Sequence, residues 1–307
     1  MSIKIWLKAI RVPFFTATII PVVLGSIVGW YDTNNFSWMR FWLTMVAALF
    51  IHAGTNLAND YFDHLSGCDE ANPNPTPFSG GSRVIQKGLI PPKNILYVSL
   101  FSFILGGIAG LYLNYLCGKN TILILGITGI FLGFFYSAKP LQIGYGSFGE
   151  LAVAIGFGPL EVMGAYYVQA RSLSFRVFLI SIPVGILIAL VLFINEFPDY
   201  AGDKRVGKRT LVVLLGKSKA VALYHALLVV MYAAIAGLVV VKFLPPLCLI
   251  TLLSLPIALK AFMVLKFDYE KIYELLPVNA ATIALHSVVG VLLCAGIVID
   301  KIFILRR

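Results

Sequence analysis

Charge is scarce in this 307-residue chain: Asp, Glu, Lys and Arg make up 12% of it, against about 25% in an ordinary soluble domain. Hydrophobic residues account for 59% and the mean hydropathy is +0.90, a balance that excludes a soluble globular protein. Cysteine is also sparse. Cys68, Cys117, Cys248 and Cys294 are scattered without a CxxC pair, which excludes a disulfide framework and a cysteine zinc site. Carboxylates are the rarest charged groups, 14 against 24 Lys and Arg, for a formal net charge of +10. In a soluble protein that excess would suggest nucleic acid. Here most basic residues lie between apolar runs, where positive-inside topology accounts for them, so no nucleic-acid partner is expected.

What the chain has in abundance is apolar sequence in lengths that suit a bilayer, about 20 residues each. Nine runs stand out, at about 13–31, 40–58, 95–117, 121–138, 149–169, 176–194, 219–241, 244–265 and 280–299. They are too long and continuous for barrel strands, so the expected fold is an all-α polytopic membrane protein with nine transmembrane helices. The first run comes after Lys4, Lys8 and Arg11 and reads as a transmembrane helix rather than a signal peptide. Pro21, Pro159, Pro183 and Pro256 fall inside runs and predict kinks. The N-terminus and the even-numbered connections carry 16 of the 24 basic residues, which places them on the cytoplasmic face of the cell membrane.

Against that background the acids are concentrated. Asn59-Asp60-Tyr61-Phe62-Asp63 closes the second run and Asn195-Glu196-Phe197-Pro198-Asp199 closes the sixth, 136 positions later. Asp69 comes after the first copy and Asp203 after the second. Both copies fall on one side of the membrane. The repeat therefore predicts two four-helix halves, about 1–145 and 146–270, related by a parallel repeat, with an extra helix at about 280–299. All belong to one membrane-embedded domain, 1–307. Carboxylates converging from two segments repel one another unless a cation lies between them. Mg²⁺ takes oxygen ligands and completes its shell with phosphate oxygens and water. The loops beside the acids supply cations as well: Arg83 and Lys87 after the first motif, Lys204 and Arg209 after the second. Acids plus basic donors are the complement for Mg²⁺ and a diphosphate. A cation-coupled transporter is the alternative from another class, and it would place its acids near the midplane on broken helices.

At these residues the chain resembles the UbiA superfamily of intramembrane prenyltransferases, most closely its menaquinone branch, which prenylates 1,4-dihydroxy-2-naphthoate. The likeness runs over nearly the whole chain. It includes Arg11-Val12-Pro13, Asn56-Leu57-Ala58-Asn59-Asp60, Gly80-Gly81-Ser82, Tyr136-Ser137-Ala138-Lys139-Pro140, Gly158-Pro159-Leu160, Gly207-Lys208-Arg209-Thr210 and Pro277-Val278-Asn279. The resemblance implies a Mg²⁺ site held by Asn59, Asp63, Asp199 and Asp203, with Asp60, Asp69 and Asn195 supporting it. It implies catalytic roles for Asp63, Asp199, Tyr136 and Lys139, with Lys139 on phosphate oxygens and Tyr136 near the allylic cation. Asn56 and Asn279 join the basic residues as substrate-binding groups. The expected partners are a polyprenyl diphosphate, an aromatic acceptor and the lipid bilayer; a different phenolic, naphthoate or lipid acceptor is the alternative within the class. Glu161 departs from the family pattern, which is apolar after Gly-Pro-Leu. A carboxyl inside a span is costly and a functional candidate, so Glu161 is expected either to contact the acceptor or to make a buried structural hydrogen bond. His52 and His286 are expected to be packed, hydrogen-bonded histidines.

Overall fold

The computed structural model describes residues 2–305, and among these there are helices and connections but no strands. Eight helices are long and apolar enough to cross a membrane, and a ninth apolar helix is shorter. In chain order they are α1 (Val12–Thr33), α2 (Trp38–Leu65), α3 (Pro92–Cys117), α4 (Thr121–Phe135), α5 (Gly149–Ala170), α6 (Phe175–Val206), α7 (Lys217–Val240), α8 (Pro246–Asp268) and α9 (Leu276–Leu305). The nine expected runs all map onto these helices. Their outer faces carry exposed apolar side chains such as Phe101, Ile104, Ile124, Val229 and Phe267, as lipid contact requires.

The ends of α2 and α6 differ from the hydropathy boundaries. The apolar runs stop at 58 and 194, yet the helices continue to Leu65 and Val206. Hydropathy marks where the lipid ends, not where backbone hydrogen bonding ends, and Asn, Asp and Tyr are tolerated in an exposed or paired helical turn. At about 1.5 Å per residue, the 32-residue α6 exceeds a hydrocarbon layer of about 30 Å by several turns. Glycines in left-handed conformation end both extensions, Gly67 at φ 72° and Gly207 at φ 79°. Both acidic motifs are therefore helical, and their residues sort by helical face.

The prolines act in different ways. In α5 the segment Gly156–Leu160, containing Pro159, winds as a π turn, since proline removes one backbone donor from the ladder. In α8 the first nine residues, Pro246–Ser254, are 3₁₀, and Pro256 sits in the first turn of the α-helical part.

Helix α2 packs along α3, α1 packs along α5, and α9 lies against α1, α6 and α8. The α1–α5 contact is close enough to exclude any side chain at Gly25, where a Cβ would stand 2.2 Å from the Val162 carbonyl oxygen. The main apolar core fills the α6–α9 side, around Phe193, Phe197, Tyr224 and Met231. On the other side α1 to α6 line an apolar chamber of about 580 Å³.

Candidate active site

Asn59 and Asp63 stand one turn apart on α2, and the Asn59 amide donates to Asp63 Oδ2 at 3.1 Å and to Ser137 Oγ at 2.8 Å. Asn195, Asp199 and Asp203 recur at four-residue spacing along α6 and so share a face. The connection between α2 and α3 closes over this pair of helices. From it Asn72 Nδ2 donates to Asp199 Oδ1 at 2.6 Å, the Gly80 N–H to Asp199 Oδ2 at 3.2 Å, and Cys68 Sγ to Asp203 Oδ1 at 3.4 Å. Two motifs far apart in sequence thus form one polar cup.

Lys208 sits among the acids. Its Nζ is 3.3 Å from Asp63 Oδ2, 3.8 Å from Asp203 Oδ1 and 4.4 Å from the centre of the Tyr145 ring. Tyr145 donates to Asp63 Oδ1 at 2.7 Å. Burial alone would lower the Lys208 pKa, but Asp63 and Asp203 hold it well above the usual lysine range. Asp69, on the short helix Cys68–Ala71, is buried nearby and accepts from Gln86 Nε2 at 3.2 Å. Burial first, then the charges of Asp63 and Asp60, push its carboxyl up to about 8. Gly81 makes room for it: a Cβ there would lie 2.5 Å from Asp69 Oδ2, and its φ of 74° suits glycine.

The other sequence-predicted residues lie around the cup or apart from it. Asp60 turns out of the cup, paired with Arg11 and accepting from the Ser82 N–H (3.2 Å) and hydroxyl. Arg11 reaches it because a left-handed residue, φ 56°, breaks the chain between the N-terminal helix Ile3–Ala9 and α1; its guanidinium also donates to Asn59 Oδ1 at 3.0 Å. Asn195 accepts from Asn279 Nδ2 at 2.7 Å, and Asn56 donates to the Ile10 carbonyl at 2.9 Å. Tyr136 lines the chamber. Arg83 donates to the Asp69 carbonyl. Lys87, Lys139, Lys204 and Arg209 are exposed, and among the described residues none forms an ion pair with the acids. Glu161 lies in the chamber wall, accepting from Thr18 Oγ1 at 3.1 Å.

Lys208, Tyr145, Asn72 and Ser137 belong to the cup although sequence reasoning assigns them no role in it. Lys208 is one cation of a basic loop, with nothing in its own sequence to separate it from Lys204. Asn72 precedes Pro73 in a proline-rich loop, and its partner is 127 positions away.

Among the described residues, no three Asp, Glu, His or Cys side chains stand close enough together to hold one metal ion, because Asp60 is committed to Arg11 and Lys208 takes the space between Asp63 and Asp203. The donor chemistry nevertheless fits a hard divalent cation: Asp63, Asp199 and Asp203 present carboxylate oxygen, while Asn59 and Asn72 turn their amide N–H groups toward Asp63 and Asp199. The buried ammonium of Lys208 marks the point where these acids need positive charge.

The cup opens on the chamber, whose lining includes Asn59 and Asn195, the first residues of both motifs. A charged cup joined to an apolar chamber inside a helical bundle defines a membrane-embedded enzyme that handles a molecule with an anionic head and a long apolar tail. The chain belongs to the UbiA prenyltransferase family, whose model matches residues 18–295, and it is a prenyltransferase. It is 30% identical to the 1,4-dihydroxy-2-naphthoate octaprenyltransferase of Bacillus subtilis (strain 168), over 93% of this chain and 89% of that one. It is also 30% identical to the 2-carboxy-1,4-naphthoquinone phytyltransferase of Synechocystis sp., covering 95% and 92%. Its fold matches that of a UbiA homolog from Archaeoglobus fulgidus bound to GPP and Mg²⁺, with a TM-score of 0.64, 16% identity, and coverage of 95% of this chain and 99% of that one.

Proposed function

We propose that this protein transfers a polyprenyl chain from a polyprenyl diphosphate to 1,4-dihydroxy-2-naphthoate, a step of menaquinone biosynthesis, with Mg²⁺ as cofactor. The observation that carries the reading is the junction of the carboxylate cup with the apolar chamber at Asn59 and Asn195. A diphosphate held in the cup directs its prenyl tail into a space shielded from water. The two naphthoate prenyltransferases similar along nearly the full chain supply the acceptor class.

Each part has a physical role. Asp63, Asp199 and Asp203, with Asn59, would hold Mg²⁺, which neutralises the diphosphate as it leaves. Lys208 and Arg11 add fixed positive charge beside the leaving group. The C–O bond of the allylic diphosphate breaks, and the aromatic face of Tyr136 at the chamber wall stabilises the carbocation left behind. Apolar walls keep out the water that would quench that cation. The electron-rich acceptor ring forms the new C–C bond, and its carboxylate departs as CO₂. The two motifs belong to parallel repeat halves, about 1–145 and 146–270, with α9 outside the repeat. The cup faces the cytoplasm of the cell membrane, on the side rich in Lys and Arg.

The test is purified protein incubated with Mg²⁺, a short allylic diphosphate and a panel of aromatic acceptors, read by mass spectrometry. The expected product is the decarboxylated, prenylated naphthalenediol, formed by wild type and lost in Asp63→Ala and Asp199→Ala. Undiminished product from either variant in excess EDTA would overturn the metal–diphosphate reading. Prenylation of a benzoate or a lipid in place of the naphthoate would overturn the acceptor.

A further inference from the structure

Deep in the chamber, away from the cup, three helices meet in a polar contact that the diphosphate chemistry does not use. Thr18 of α1 is fully buried, and its Oγ1 lies 2.8 Å from His52 Nδ1 of α2 and 3.1 Å from Glu161 Oε1 of α5. His52 and Glu161 both line the chamber, while Thr18 stands behind them. The π turn Gly156–Leu160 immediately precedes Glu161. An added residue in a helical turn shifts the register of the residues after it, and such turns recur at functional sites. The His52 ring is wedged between Phe15 and Phe157, at centroid distances of 5.2 and 5.0 Å.

The proton count gives this contact a direction. Thr18 has one hydroxyl proton, and it goes to Glu161 Oε1. With Glu161 as its carboxylate, the hydroxyl oxygen accepts from His52 Nδ1–H, so that a neutral ring carries its lone pair on Nε2. Glu161 Oε2 is enclosed without a hydrogen-bond partner, and His52 Nε2 has none among the described residues. The triad therefore leaves two acceptor atoms on a chamber whose other walls are largely apolar. Buried acceptors without donors are unfavourable, and the complement is a ligand carrying O–H groups. His52 precedes Asn59 by seven residues, two helical turns or roughly 10 Å, which leaves an aromatic ring system room between the triad and the cup.

We propose that His52 and Glu161, coupled through Thr18, grip the acceptor by its ring hydroxyls and so determine which aromatic compound is prenylated. The proposal rests on the prenyltransferase reading. His52 and Glu161 touch the acceptor, and Thr18 is a positioning residue that fixes the tautomer of one and the orientation of the other. A site built to hydrogen-bond hydroxyls discriminates strongly against an analogue that lacks them. It also separates the two substrates: the acceptor is recognised through its hydroxyls at the triad and the donor through its diphosphate at the cup.

The experiment compares 1,4-dihydroxy-2-naphthoate with its mono-O-methyl ethers on the wild-type enzyme, then on Glu161→Gln, His52→Gln, Thr18→Val and Thr18→Ser. Wild type is expected to favour the free diol in kcat/KM by about 10-fold or more. Glu161→Gln and His52→Gln are expected to raise acceptor KM about 10-fold and shrink that preference, with the KM for prenyl diphosphate held within about 2-fold. Thr18→Val should behave like them and Thr18→Ser should recover. Equal use of diol and ethers by the wild type would overturn the proposal without any variant. So would variants in which the KM values of both substrates rise together, or in which the diol preference is untouched. Failure of wild type to prenylate any aromatic compound while still cleaving the diphosphate would instead overturn the acceptor class on which the proposal depends.

Discussion

Lys208 and Asp63, 145 positions apart, meet at 3.3 Å between Nζ and Oδ2 at the centre of the cup. The ammonium occupies the gap between Asp63 and Asp203 and lies over the Tyr145 ring, so it neutralises acids that would otherwise repel.

That placement makes Lys208 part of the charge balance of the donor substrate. Lys208→Met should lower kcat/KM for the prenyl diphosphate by about 10- to 100-fold, since a hydrogen bond to a charged group contributes roughly 1.5–3 kcal/mol. It should also lower the Mg²⁺ concentration needed for half-maximal activity, because Asp63 and Asp203 lose the cation that competes with the metal for them. An unchanged kcat/KM for the prenyl diphosphate in the folded variant would show that the lysine only pairs the acids and does not meet the phosphate.

Arg11 and Asp60 carry a structural prediction. Asp60 is 2% exposed and its partner is held by a broken helix junction rather than by a regular turn. Removing one member of a buried ion pair typically costs about 3–5 kcal/mol, and the partial exposure of Arg11 places the expected loss at or below the lower end, about 2–3 kcal/mol. Asp60→Ala should therefore lower the thermal midpoint in detergent, and Arg11→Ala/Asp60→Ala should recover part of it. A double variant as unstable as the sum of the singles would show that the pair does not act as a unit.

Much of this architecture is legible in the chain. Nine runs, the repeated acid motif and its junction with apolar helices can be read from hydropathy and spacing alone. Two kinds of feature cannot. The first is helical face: Asp60 and Asp63 are neighbours in one motif, but three residues apart on a helix they turn to different partners, Arg11 and Lys208. Only the continuation of α2 beyond its apolar run reveals this. The second is long-range pairing inside an otherwise apolar space. His52 carries no sequence signal beyond being a polar residue in a span, and its link to Glu161 through Thr18 depends on how three helices cross.

Chamber depth should control prenyl length. Gly129 of α4 lines the chamber, and a Cβ placed there meets no atom within 4 Å, so a side chain would enter empty space. Gly129→Leu should shift preference toward shorter allylic diphosphates, by about 10-fold in the ratio of kcat/KM values for long and short donors, without loss of thermal stability. An unchanged chain-length profile in a well-folded variant would move the tail to another part of the chamber.

The side of the membrane on which the cup opens can be read with one cysteine. All four native cysteines, Cys68, Cys117, Cys248 and Cys294, are buried, so an impermeant thiol reagent meets little background. Lys204 is exposed on the last turns of α6, with its ammonium 5.8 Å from the Tyr200 ring and no acid in contact. Lys204→Cys therefore reports the motif face without disturbing the cup. The distribution of Lys and Arg predicts that this face lies inside, so labelling should fail on intact cells and proceed on inverted vesicles. Asn35 supplies the opposite control: it is exposed in the short α1–α2 connection at the other end of both helices, and Asn35→Cys should react from outside. Reaction of Lys204→Cys on intact cells, with Asn35→Cys silent, would reverse the orientation and require the prenyl diphosphate to reach the cup from the outer face.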